Sequence, residues 1–103
     1  MVLCRPHNPT GTIESAAAVQ RFLTRVPPDT VVILDEAYVE FLDPGLRLDT
    51  AELVRLFPNL VVVRTFSKAY GLAGLRIGYG FCGTELAARL WSMQLPFLSL
   101  IHI

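Results

Sequence analysis

Two short runs of consecutive apolar residues, VVIL at Val31–Leu34 and LVVV at Leu60–Val63, constrain this chain most. Successive side chains of a strand point to opposite faces, so a strand that is apolar at every position needs cover on both sides. Parallel sheets lined by helices provide that cover. A shorter run, VLC at Val2–Cys4, precedes both. Each run stops at polar or turn-forming residues, in the segments RPHNPTG, DEAY and RTFSK. The prolines, asparagine and glycine of the first segment mark a tight loop.

The intervening segments carry helical patterns. Ala16, Val19, Leu23 and Val26 share one helical face in SAAAVQRFLTRV, with Thr12 or Ser15 as candidate cap and PPD as the stop. Asp49 and Glu52 have capping-box spacing at the head of TAELVRLF. RIGYGF, at Arg76–Phe81, reads as a fourth strand, and TELAARLWSMQ as a last helix with Thr84 as candidate cap. The order β-α-β-α-β-loop-β-α predicts an α/β fold of three layers around a mostly parallel sheet. One strand should depart from this pattern. A parallel crossover takes about a dozen residues or more, and the link between the third and fourth runs is shorter and glycine-rich. Arg76–Phe81 is therefore expected to run antiparallel to its neighbours.

Composition narrows the function classes. Nine basic and nine acidic residues cancel, and no basic stripe invites a nucleic acid. No apolar stretch is long enough to cross a bilayer, and the oiliest segment, LWSMQLPFLSLIHI, is broken by Gln94 and Pro96. A cytoplasmic protein without nucleic-acid or membrane partners is the expectation, and no signal peptide is read ahead of the first run. Cys4 and Cys82 lie far apart without CxxC spacing and should be reduced thiols. The chain is 52% apolar and only 17% charged, which is oily for a free-standing small domain. It reads as the interior of something larger, and the isolated chain is expected to associate through exposed edges and patches.

Three polar residues mark where the apolar runs finish. Asn8 lies beyond the first, Asp35 ends the second and Lys68 follows the third, at intervals of 27 and 33 residues. Each interval is about one βαβ unit, so adjacent parallel strands would bring all three to one edge of the sheet. Ligands of open α/β sheets sit beyond that edge. Asp35, at the end of a buried strand, needs a cation or hydrogen-bond donors, although a helix cap or loop anchor would also satisfy it. Lys68 could be an amine nucleophile near a desolvating sheet edge, or a solvated lysine. Arg76 with the hydroxyls of Thr65 and Ser67 would make a phosphate cup; a surface ion pair and local turn bonds are the plainer readings. Gly71, Gly74, Gly78 and Gly80 spell neither GxGxxG nor GxxxxGK[ST] and lead into a strand rather than a helix. They read as a structural turn.

With HNPTG, DEAY and SK followed by an arginine eight residues after the lysine, the chain resembles the aspartate aminotransferase superfamily of fold type I pyridoxal-phosphate enzymes. DEAYVEF and RTFSKAYGLAGLRIGYG are most similar to its histidinol-phosphate aminotransferase branch. The resemblance covers residues 1–97, as the central part of a large cofactor-binding domain. It sets off 98–103, LSLIHI, as an atypical and non-native tail. It implies that Lys68 forms the Schiff base with pyridoxal phosphate and shuttles the proton between substrate and cofactor. Asp35 would pair with the pyridinium nitrogen. Asn8 and Tyr38 would hydrogen-bond the phenolate oxygen, although Tyr38 could be a packed aromatic and Asn8 a turn residue. Ala37 would leave room for the ring, and Thr65, Ser67 and Arg76 would hold the phosphate.

The implied reaction moves an amino group between a small-molecule amino donor and a 2-oxo acid, in histidine biosynthesis, with the intact parent a homodimer. A threonine-phosphate decarboxylase or an aromatic aminotransferase is the near alternative. A catalytically silent α/β domain that binds a phosphate-bearing ligand or a partner chain, and a nucleotide-binding half-domain, are the more distant ones. His7 stands where that superfamily often has asparagine. Family chains are much longer, so this one carries one wall of a site and is expected to be inactive alone.

Overall fold

The computed structural model describes residues 1–66, Gly71, Gly74, 78–93 and 100–102. Its strands are β1 (Val2–Cys4), β2 (Val32–Asp35), β3 (Leu60–Thr65), β4 (Gly78–Cys82) and β5 (Leu100–His102). Its helices are α1 (Ala16–Arg25), α2 (Thr50–Leu56) and α3 (Thr84–Ser92), with single 3₁₀ turns at Val39–Phe41 and Pro44–Leu46. The sheet order is β1-β2-β3-β4-β5. β1, β2 and β3 pair in parallel, β4 is antiparallel to β3, and β5 is parallel to β4.

The α/β architecture with a mostly parallel sheet is as the sequence predicts, and so is the reversal at β4. One detail differs. β4 is antiparallel to only one of its neighbours, because α3 supplies a crossover long enough for a parallel return to β5. β5 itself lies within the segment set apart as a tail.

The layers follow from chain handedness. Crossovers between parallel strands are right-handed. The connections β1-α1-β2 and β2-α2-β3 advance across the sheet in one sense and so place both helices on one face. β4 runs the other way while the chain keeps advancing, so α3 falls on the opposite face. The two cores agree. Val19 and Leu23 of α1, Val26 just after it, and Leu53 and Val54 of α2 pack with Val32, Leu34, Leu60, Val62 and Phe81. On the other side Leu86 and Ala87 of α3 pack with Val61 and Cys82, against Ile33. Each fully buried Val or Leu contributes about 1.5–3 kcal/mol by leaving water.

Local signals set the helix ends. Ser15 caps α1 by accepting the Ala18 N–H at 3.1 Å, which settles the choice between Thr12 and Ser15. Ala16, expected on the core face, is exposed because it sits in the first turn. Asp49 caps α2 through the Glu52 N–H at 3.1 Å. Thr84 does not cap α3: it is the first helical residue, and Gly83 holds the cap position.

Candidate functional site

The carboxyl ends of β1, β2 and β3 lie side by side, with Cys4 opposite Asp35 and Asp35 opposite Val63. Beyond β1 the chain makes a closed loop. Gly11 N–H donates to the His7 carbonyl at 2.7 Å and His7 N–H to the Thr12 carbonyl at 3.0 Å. Gly11 has φ +71°, which a residue with a Cβ adopts at a cost. The Arg5–Pro6 and Asn8–Pro9 peptide bonds are cis. This loop projects Asn8 toward the turn after β2, where the Asn8 Nδ2 donates to the Tyr38 hydroxyl at 3.5 Å. Pro6, His7, Asn8, Gly11, Tyr38 and Phe41 line an open cleft of about 280 Å³.

Asp35 is half-buried and serves as a loop anchor on one side only. Its Oδ1 accepts the Ala37 N–H at 3.0 Å, while Oδ2 meets the Cys4 thiol at 4.0 Å. Among the described residues the ion pairs are Arg55–Glu52, Arg64–Glu36 and Arg89–Glu85, and Asp35 joins none of them. By strand alternation Asp35 and Thr65 share the face of Ile33 and Val61, the α3 side of the sheet. Thr65 ends β3, opposite Gly78. Asn8, Asp35, Ala37, Tyr38 and Thr65 therefore gather at one sheet edge. Ser67, Lys68 and Arg76 lie outside the described residues.

Residue-by-residue reading of the sequence overlooks what stands behind this edge. Glu36 is fully buried and Arg5 is 2% exposed. Arg64 donates to the Glu36 Oε1 from Nε at 3.0 Å and from Nη2 at 2.9 Å, and Nη2 also reaches the Thr50 hydroxyl at 3.3 Å. The guanidinium lies 5.2 Å from the centre of the Phe81 ring. Desolvation raises the Glu36 pKa above its ordinary value, outweighing the pull of Arg64 and Arg5; Glu40 adds to the rise. Burial works against the charge of Arg64, yet the Tyr79 hydroxyl and Glu36 hold its pKa above the ordinary arginine value. The signal was present: a Glu and an Arg, each at the end of a doubly buried strand.

The match with the family model described as aminotransferase class I and II runs over residues 1–103. The chain belongs to the class I and II aminotransferases. The histidinol-phosphate aminotransferase of Lactiplantibacillus plantarum is 50% identical over 95 residues, 92% of this chain and 27% of that one. The aromatic amino acid aminotransferase of Mycolicibacterium vanbaalenii is also 50% identical over 95 residues, with the same shares covered. The crystal structure of histidinol-phosphate aminotransferase from Sinorhizobium meliloti in complex with pyridoxal-5'-phosphate superposes with a TM-score of 0.75 at 35% identity. That superposition covers 93% of this chain and 26% of the other. The chain thus spans about a quarter of the length of the curated relatives it matches.

Proposed function

We propose that residues 1–97 form the central part of the large domain of a pyridoxal-phosphate-dependent aminotransferase, with 98–103 an atypical tail. The reaction is amino transfer between histidinol phosphate and 2-oxoglutarate, in cytoplasmic histidine biosynthesis, by a homodimeric parent. The observation that carries this reading is the convergence of Asn8, Asp35, Tyr38 and Thr65 at the carboxyl edge of three parallel strands in a chain of this family. The donor set suits the cofactor. Asp35 Oδ2 can accept a ring N–H, the Asn8 amide and Tyr38 hydroxyl can donate to a ring oxygen, and the Thr65 hydroxyl can donate to a phosphate.

Bound there, pyridoxal phosphate supplies an electron sink for the substrate α-carbon. The chain's own residues do the rest. Asp35 keeps a proton on the ring nitrogen and is itself oriented by the Ala37 N–H. Ala37 is small enough for a ring to lie against. Thr65, Ser67 and Arg76 hold the phosphate. Lys68, the only lysine, anchors the cofactor and carries the proton. A second reading, an aromatic amino acid aminotransferase, is supported by the 50% identity to such an enzyme, against 50–56% to histidinol-phosphate aminotransferases. On this proposal the 103-residue chain binds cofactor without turning over substrate.

Incubation with pyridoxal phosphate, borohydride reduction and peptide mass spectrometry test the reading. The α-amine of Met1 is an internal control for unspecific labelling, because it is the other primary amine. Lys68 should label ahead of Met1. Asp35→Ala and Arg76→Ala should each lower that preference about tenfold, as expected for losing one hydrogen bond to a charged group. Equal labelling of Lys68 and Met1 in the parent, or undiminished preference in both variants, would sink the proposal.

A further inference from the structure

Behind the site, on the opposite sheet face, stands a row of three charged residues. The ladder continues one step past the strand ends: Arg5 N–H donates to the Asp35 carbonyl at 3.0 Å and Glu36 N–H to the Val63 carbonyl at 2.9 Å. Since Cys4, Asp35 and Val63 are register partners, the next residues, Arg5, Glu36 and Arg64, are neighbours across β1, β2 and β3. Each is bonded in sequence to a strand-end residue on the other face. Glu36 follows Asp35, and Arg64 precedes Thr65.

The row is not a plain stabiliser. Glu36 is fully buried and Arg64 has a side chain only 26% exposed. A buried ion pair seldom repays its desolvation, and its best-attested use is to specify one arrangement over others. Glu36 uses one oxygen for both Arg64 bonds. Its Oε2 and the Arg5 Nη1 are buried without hydrogen-bond partners among the described residues. Glu36 is thus bonded by Arg64 through Nε and Nη2, while Arg5, whose Nε donates to the Glu14 carbonyl at 2.8 Å, acts on it through its charge alone. Two donors of one planar guanidinium meeting the same oxygen fix the distance and the side from which Arg64 approaches. With an apolar pair at these positions only the backbone ladder bonds would hold the two strand ends in place.

We infer that Arg5, Glu36 and Arg64 are positioning residues: a buried charged rung that holds the ends of β1, β2 and β3 in the register that aligns Asn8, Asp35 and Thr65 for the cofactor. The rung touches neither cofactor nor substrate. This inference rests on the cofactor reading above for its purpose, but its geometry can be tested without cofactor.

Amide hydrogen exchange of the full chain is the first arm. The Arg5 and Glu36 amides should be protected in the parent. In Arg64→Met they should exchange at least tenfold faster, while the mid-strand amides of Leu34 and Val62 keep most of their protection. Arg64→Lys, which keeps the charge without the two guanidinium donors, should lie between. Arg5→Met, Glu36→Met and Arg64→Met together remove all three charges, so no buried charge is left without its counter-ion and sheet stability is kept while strand-end protection is still lost. In the second arm, reductive labelling with pyridoxal phosphate, the triple variant should lose the Lys68-over-Met1 preference, and the bound cofactor's visible band should shift its pH midpoint in Arg64→Lys. Loop-like exchange of the two amides in the parent overturns the inference. So does an unchanged or uniform response across the sheet, or an unchanged labelling preference and pH midpoint in the variants. A parent that shows the rung's exchange pattern but no Lys68 preference leaves the rung standing and brings down the cofactor reading instead.

Discussion

At the residue scale, neighbours in sequence serve opposite faces of one sheet. Asp35 faces the site and Glu36 the buried row, because the side-chain period of a strand is two. Glu36 sets a pH dependence. Its folded pKa is raised above its ordinary value of 4.5. Its contribution to stability is therefore complete below the unfolded value and is lost as pH rises through the folded one. Glu36→Gln cannot titrate. Urea unfolding at a series of pH values should show the variant gaining on the parent from about pH 4.5 upward, and a difference that stays flat would contradict this. Gly78 carries a second prediction. A Cβ there would lie 2.9 Å from the Arg64 carbonyl oxygen. Backbone cannot swing aside as a side chain can, so Gly78→Ala should cost roughly 1–3 kcal/mol, read from the unfolding midpoint. The glycine is needed for close approach of β4 to β3, in keeping with its sequence reading as structural rather than phosphate-binding.

At the element scale, strands and helices were legible because their signals are local. Unbroken apolar runs marked β2 and β3, and helical spacing marked α1 through Val19 and Leu23. Asp49 announced the start of α2. The caps of α1 and α3 were harder to read: Thr12 and Ser15 both precede α1, and the one hydroxyl at the start of α3, Thr84, falls one residue inside the helix. Ser15→Ala removes the one side-chain bond at the α1 cap and should cost about 1 kcal/mol, visible as a lower urea midpoint at unchanged slope. Thr12→Ala should leave that midpoint in place. Equal effects of the two substitutions would mean that the cap is shared.

At the scale of the whole molecule, the three helices among the described residues cover a five-stranded sheet unevenly. β1 lies at an edge, with Val2 67% exposed, and Phe41, Leu56 and Trp91 are each more than half exposed. An uncharged apolar edge invites pairing with another chain. The isolated chain should therefore associate as its concentration rises, and Val2→Lys should shift sedimentation profiles toward the monomer. A parent that stays monomeric at high micromolar concentration would refute this. Among the described residues no helix is long and apolar enough to cross a membrane.

The sequence by itself determined the order of elements, the need for a doubly covered sheet and the residue types that end its strands. Periodicity, turn residues and capping spacings act within a few residues of chain, and so does the motif set HNPTG, DEAY and SK that marks the family. The tertiary structure decided the rest. It put Asn8 within reach of Tyr38, 30 residues on, and Glu36 beneath Arg64, 28 residues on. Those contacts depend on strand order, register and crossover hand, which are settled by which faces find cover when the whole sheet closes up. A one-residue slip at β2 would have exchanged Asp35 and Glu36 between the two faces of the sheet.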